Sequence, residues 1–288
     1  MAVLISLSLG FLHKLSLYFQ LTKPRLSIVV VFSAVMGALI GGLSDWTTFL
    51  WLVVGGYAIT GSANAANQVW EKDTDALMER TRTRPLPAGL LSSVEGGLFS
   101  LVLLVLGLWV LGTLHWQVAL LGGGAWALYV LGYTPLKRKG AWAVAMGAIP
   151  GALPPVIGYW AVHPELTALL ICLFSIQFIW QFPHFWVIAW IAQQDYARAG
   201  FQLLPFPLTM PLANKFVLIL SLFFLPIAAI FFWPWLPWET GLWVFVVSMG
   251  VATFGFLGAQ KGDRFNMRLL LLGLTSYLTL LYLGIWLL

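Results

Sequence analysis

The stretch GGLFSLVLLVLGLWVLGTLHWQVALLGGGAWALYVLGYTPL, residues 96–136, lies between Glu95 and Lys137 and contains 41 residues without a charge. A membrane crossing needs about 20 apolar residues as a helix. The stretch therefore holds two crossings, with Gly112–Gln117 as the turn. Outward from it, charged residues mark off further single crossings: Arg25 to Asp45, Asp45 to Glu71, Lys139 to Glu165, Glu165 to Asp195, Lys215 to Glu239, Glu239 to Lys261, and the 20 residues after Arg268. The total is nine, an all-α polytopic membrane bundle. Composition agrees, since 60% of the 288 residues are hydrophobic and 9% are charged. Soluble domains are nearer a quarter charged. A soluble enzyme, a disordered chain and a disulfide scaffold are excluded. An outer-membrane barrel would alternate at period two in segments of about ten residues. The single cysteine, Cys172, forms no internal disulfide.

If nine helices alternate, all 15 basic residues fall on one side. They occupy the segment before the first crossing and the loops after the second, fourth, sixth and eighth. Basic residues mark the cytoplasmic side. The N-terminus is expected in the cytoplasm, and the protein in the inner (cytoplasmic) membrane. The net charge of +5 then reports orientation, and no nucleic-acid partner is expected. Residues 1–22 lack the basic n-region and cleavage site of a signal peptide. They are expected to form an amphipathic helix on the cytoplasmic face, preceding a single nine-helix domain over 23–288.

Polar groups concentrate in two of the basic-side loops. Asn67, Glu71 and Asp75 end the second crossing at i, i+4, i+8 spacing, which puts them on one helix face. Two carboxylates and an amide oxygen suit Mg²⁺, which takes few protein oxygens and completes its shell with water and substrate phosphates. Arg80, Arg82 and Arg84 follow, with forks matched to phosphate oxygens. Eight of the chain's 25 charges lie within Glu71–Arg84. A solvated, self-paired loop is the plain alternative. Against it, the acids begin inside an apolar helix, where charge is costly and commonly functional. Asp73 points off the shared face.

The loop after the sixth crossing echoes the first, running from Asp195 through Arg198 to Leu204-Pro205. Such a parallel repeat can place a site between halves. Between them Tyr133-Thr-Pro-Leu-Lys137-Arg138-Lys139 is either a positive-side anchor or a cationic wall for an anion. The fifth crossing carries Pro150, Pro154 and Pro155 and is expected to kink or break. His184 stands alone in an apolar stretch about three turns before Asp195.

These residues together resemble a known family. Asn67-Gln-x-x-Glu71-x-Asp73-x-Asp75-x-x-Met78-x-Arg80-Thr81-x-x-Arg84-Pro-Leu-Pro87 resembles the first aspartate-rich motif of the UbiA superfamily of intramembrane prenyltransferases. Thr22-Lys-Pro-Arg25, the Tyr133–Arg138 segment, Gly151-Ala-Leu-Pro-Pro155, Trp180-Gln-x-Pro183-His184-Phe185 and Asp195-Tyr196 are similar to its protohaem IX farnesyltransferase (haem O synthase) branch. The likeness runs from about residue 20 to 210 and continues loosely beyond. One departure is that Ile191 stands where general members carry the first acid of a pair, so Asp195 is alone.

The resemblance implies transfer of farnesyl from farnesyl diphosphate to a vinyl group of haem B, giving haem O and pyrophosphate. It implies Mg²⁺ on Asn67, Glu71 and Asp75, with Asp195 as a further ligand. Arg25, Lys72, Arg80, Arg84, Tyr133, Lys137 and Arg138 are implied to bind the diphosphate, and Asn67, Glu71, Asp75 and Lys137 to be the catalytic residues. His184 is implied to meet the haem, which is a substrate, and a haem A synthase to act downstream. Two alternatives stay open. One is a prenyltransferase acting on an aromatic or quinone precursor. The other is a secondary transporter, whose acids would sit near the bilayer midplane.

Overall fold

Pro24 sets the first feature of the architecture. It has no N–H to donate and restricts the residue before it. Helix α1 (Ala2–Leu21) stops there, Lys23 takes a left-handed φ of 46°, and α2 (Pro24–Ile40) begins with the proline in its first turn. The computed structural model describes residues 2–207, 209–261 and 263–288, with side chains from residue 12 onward; half of the amphipathic expectation for residues 1–22 thus lies outside the described side chains.

The remaining main helices follow the charge punctuation. They are α3 (Trp46–Trp70), the short α4 (Lys72–Asp75), α5 (Ser93–Leu114), α6 (Trp116–Ala127) and, past a π-helical segment at Leu128–Tyr133, the single turn α7 (Thr134–Leu136). Then come α8 (Trp142–Val162), α9 (Ala168–Ile191), the short α10 (Gln193–Arg198), α11 (Pro211–Phe232), α12 (Trp238–Lys261) and α13 (Arg264–Leu287). Among the described residues eight spans are long and apolar enough to cross a bilayer, and the ninth is α2 taken with Leu12–Leu21, from which it bends by 53°. The outer surface is apolar, with Val102, Trp109, Leu120, Ile227 and Leu272 all exposed, as lipid contact requires.

Lipid is as apolar as leucine, so helices associate through close packing and internal hydrogen bonds. Both devices are present. A Cβ at Gly158 would collide with the Ala34 carbonyl, and one at Gly37 with that of Pro155, so α2 and α8 meet backbone to backbone. Ser62 and Ser100 exchange hydrogen bonds with each other's carbonyls at 2.7 and 2.9 Å, and Trp126 Nε1 donates to Ser62 at 2.9 Å, tying α3, α5 and α6.

The expected break in the fifth crossing does not occur: α8 is helical from Trp142 to Val162 across all three prolines. The reason is local. Pro155 cannot donate to the carbonyl of Gly151 four residues back. That carbonyl instead accepts from Gln177 Nε2 at 2.7 Å and Gln181 Nε2 at 3.1 Å on α9. Tyr282 of α13 in turn donates to Gln177 Oε1. The backbone group that Pro155 frees is thus satisfied by neighbouring helices, as a membrane helix requires.

Candidate functional site

The π-helical segment, α7, the C-terminal end of α3 and the Thr22–Lys23 break converge at one end of the bundle. Asn67, Glu71 and Asp75 are 1%, 6% and 1% exposed, so the three expected ligands face inward together. The intervening helix is not continuous: α3 ends at Trp70, Glu71 is the hinge, and α4 carries Asp75. The i, i+4, i+8 line survives because Glu71 N–H still donates to Asn67 O and Asp75 N–H to Glu71 O.

Three basic side chains face these oxygens. Lys137 Nζ lies 2.8 Å from Glu71 Oε1 and donates to Oε2 at 3.0 Å. Arg84 Nη1 donates to Asp75 Oδ2 at 2.7 Å, and Lys23 Nζ to Asn67 Oδ1 at 3.1 Å. Asn67 Nδ2 donates to Thr134 Oγ1 at 3.1 Å, which fixes which end of the amide faces the basic side chains. Burial works against the proton of Lys137, but the Glu71 carboxylate, helped by Tyr129 and Tyr196, outweighs it and holds the ammonium above its usual 10.5. Lys137 also sits 4.8 Å over the Tyr133 ring and 5.8 Å from that of Phe201. Tyr133 belongs to the π-helical segment, a distortion common at functional sites. The offset it introduces sits just ahead of Lys137.

The oxygen set fits Mg²⁺. Glu71 Oε1 is buried, and its only polar neighbour among the described residues is the Lys137 ammonium 2.8 Å away. Among the described residues no three His, Cys, Asp or Glu side chains cluster. The site offers two carboxylates and an amide, so water and phosphate oxygens would supply the rest of the shell.

Not every expected residue enters. Arg25, Arg80 and Arg138 are exposed, while Lys72 is half-buried beside Glu71. Asp195 is half-buried and accepts from the backbone N–H groups of Glu79 (3.1 Å) and Arg80 (3.4 Å). It ties the second polar loop to the first. His184 stacks on Trp180, with ring centroids 4.4 Å apart at 21°, and its buried Nδ1 has no hydrogen-bond partner among the described residues.

Lys23 and Thr134 were missed as site residues from sequence. The signal for Lys23 was the Lys-Pro pair: a residue before proline is disfavoured in the α region, so the chain breaks there and turns the lysine inward. Nothing in the sequence marked the π-helical segment.

Glu71 lies at the end of α3 and not at its centre, away from the mid-helix position of a transport site. Comparison with known proteins agrees. The model of the UbiA prenyltransferase family matches residues 28–266. A protein of Cytophaga hutchinsonii named protoheme IX farnesyltransferase is 44% identical over 191 residues, covering 65% of this chain and 67% of that one. One of that name from Koribacter versatilis is 35% identical over 283 residues, covering 92% and 90%. Matches to two other relatives of that name span 64% and 63% of their lengths. A UbiA homologue from Archaeoglobus fulgidus, solved with GPP and Mg²⁺ bound, superposes with a TM-score of 0.67 at 14% identity over 93% of this chain and 99% of that one, a likeness of fold. The chain therefore belongs to the UbiA prenyltransferase family.

Proposed function

We propose that this protein transfers farnesyl from farnesyl diphosphate to a vinyl group of haem B, at the end of the bundle where Asn67, Glu71 and Asp75 face inward. The observation that carries the reading is the burial of those three oxygen donors against Lys23, Arg84 and Lys137. The shared name of the Cytophaga and Koribacter relatives supports haem as the acceptor. The basic loops support a reading in which this end, and the N-terminus, face the cytoplasm from the cell's inner membrane. A haem A synthase would consume the product.

The chemistry follows from charge. An allylic diphosphate ionises when negative charge gathering on its leaving group is neutralised by pre-placed cations. Lys137 and Arg84 now rest on Glu71 and Asp75; a diphosphate entering between them gives both a second anion to bind. When bound at Asn67, Glu71 and Asp75, Mg²⁺ would add Lewis-acid charge at the same oxygens. The bond from farnesyl C1 to the diphosphate oxygen breaks, and C1 joins the terminal vinyl carbon. Water adds to the other vinyl carbon and loses a proton, which gives the hydroxyethylfarnesyl side chain. Tyr129, Tyr133 and Phe185 form a chain of rings, with centroids 5.3 and 5.9 Å apart, beside Lys137. Their faces favour positive charge and their bulk excludes water until the carbon–carbon bond has formed.

The test is purified protein in detergent with farnesyl diphosphate, Mg²⁺ and haem B, read by product mass. The expected product is haem B plus a farnesyl group and a hydroxyl. Prenylation of 4-hydroxybenzoate with haem untouched would replace this acceptor with an aromatic one.

A further inference from the structure

A polar cavity opens where Asp195 meets Glu79 and Arg80, all three of which line it. It has a volume of about 690 Å³ and is lined by Trp190 and Ile191 at the end of α9 and by Arg80, Arg198, Arg264 and Arg268. These arginines come from three places: the loop after α4, the end of α10, and the first two turns of α13. Arg264 and Arg268 are i, i+4 and share one helix face.

The cavity's two acids are already matched. Arg198 Nη1 lies 2.9 Å from Glu79 Oε1 and 3.6 Å from Asp195 Oδ1, and Asp195 also holds two backbone N–H groups. Arg80, Arg264 and Arg268 make no ion pair among the described residues. Three guanidinium forks therefore line a wall whose apolar side is an indole and an isoleucine. A planar fork binds a carboxylate through two parallel hydrogen bonds. The complement is an amphiphile with more than one carboxylate and a flat apolar body.

We propose that this cavity receives the two propionate carboxylates of the tetrapyrrole acceptor, with Arg264 and Arg268 as the binding residues contributed by α13. The proposal rests on the haem reading above and specifies how that acceptor is held. Haem B is polar at the edge bearing its propionates and apolar at the edge bearing its vinyls. Holding the carboxylates at the aqueous rim aims the vinyl edge into the dry bundle, where the farnesyl cation forms.

The experiment titrates haem B and its dimethyl ester, by Soret absorbance, into protein in phosphatidylcholine nanodiscs, comparing wild type with Arg264→Gln/Arg268→Gln. Wild type is expected to prefer the diacid to the ester, and that preference to weaken with salt. The double variant is expected to lose about tenfold or more in haem affinity, to bind the ester as wild type does, and to keep its KM for farnesyl diphosphate. Several results overturn the proposal: no preference of wild type for the diacid, equal losses for diacid and ester, or unchanged haem binding in the variant. An effect seen only when phosphatidylglycerol is present would assign the cavity to a lipid headgroup. Wild type that farnesylates haem while the double variant does so equally well sinks this inference alone. Wild type that neither binds nor farnesylates haem sinks the haem reading with it.

Discussion

Lys23 and Arg25 illustrate how two residues of the same charge, two positions apart, receive opposite fates. Lys23 sits at the break before Pro24 and reaches Asn67 at 3.1 Å, whereas Arg25 lies on the exposed side of the first turn of α2. Positive charge near a diphosphate counts only where water is excluded. Lys23→Ala is expected to lower farnesyl transfer by about ten- to hundredfold, the scale of one lost charge-assisted contact, and Arg25→Ala to leave it within about twofold. Steady-state rates of product formation decide the point, and the reverse order would restore Arg25 to the site. The sequence made the ligand row readable because Asn67, Glu71 and Asp75 obey a helical period. It did not reveal which of the neighbouring basic residues meet them, since that depends on a bend between two helices. Arg80 makes the same point: its spacing suggested phosphate, and it lines the arginine-rich cavity beside Asp195 instead.

At the scale of elements, the eight or nine crossings among the described residues were legible because charge is so sparse that it falls mostly at helix ends. What the pattern could not show is how helices satisfy one another. The three prolines of α8 argue locally for a break, yet Gln177 and Gln181 bind the carbonyl that Pro155 leaves free. Likewise, glycine in a membrane helix does not reveal its purpose until a neighbour's backbone is seen against it. Gly158 is pressed on the Ala34 carbonyl, and Gly124 faces open space. Gly158→Ala is expected to destabilise the fold by about 1–3 kcal/mol, as overpacking does, and Gly124→Ala to have no measurable effect. Thermal unfolding in a single detergent distinguishes them; equal melting temperatures would mean that α2 and α8 separate without cost.

For the whole molecule, four separate stretches of chain meet at one end of the bundle: the Thr22–Lys23 break, the α3–α4 hinge, the π-helical turn before Lys137, and the α9–α10 loop. Their sequence separation hid the geometry, and the repeat-like loops proved to be in direct contact through Asp195 and the backbone of Glu79 and Arg80. The assembly creates a buried cluster in which three basic side chains oppose two carboxylates, the site proposed above for a divalent cation and a diphosphate. The measurement that addresses this most directly is Mg²⁺-dependent pyrophosphate release from farnesyl diphosphate in the presence of haem B, wild type against Asp75→Asn. The substitution keeps the shape of the side chain and removes its charge. The expected result is a fall of at least about a hundredfold, the scale of losing a pre-placed electrostatic group, with the Soret titration for haem unchanged. Wild-type turnover in Asp75→Asn would contradict a cation-binding role for the buried oxygens at the end of α3.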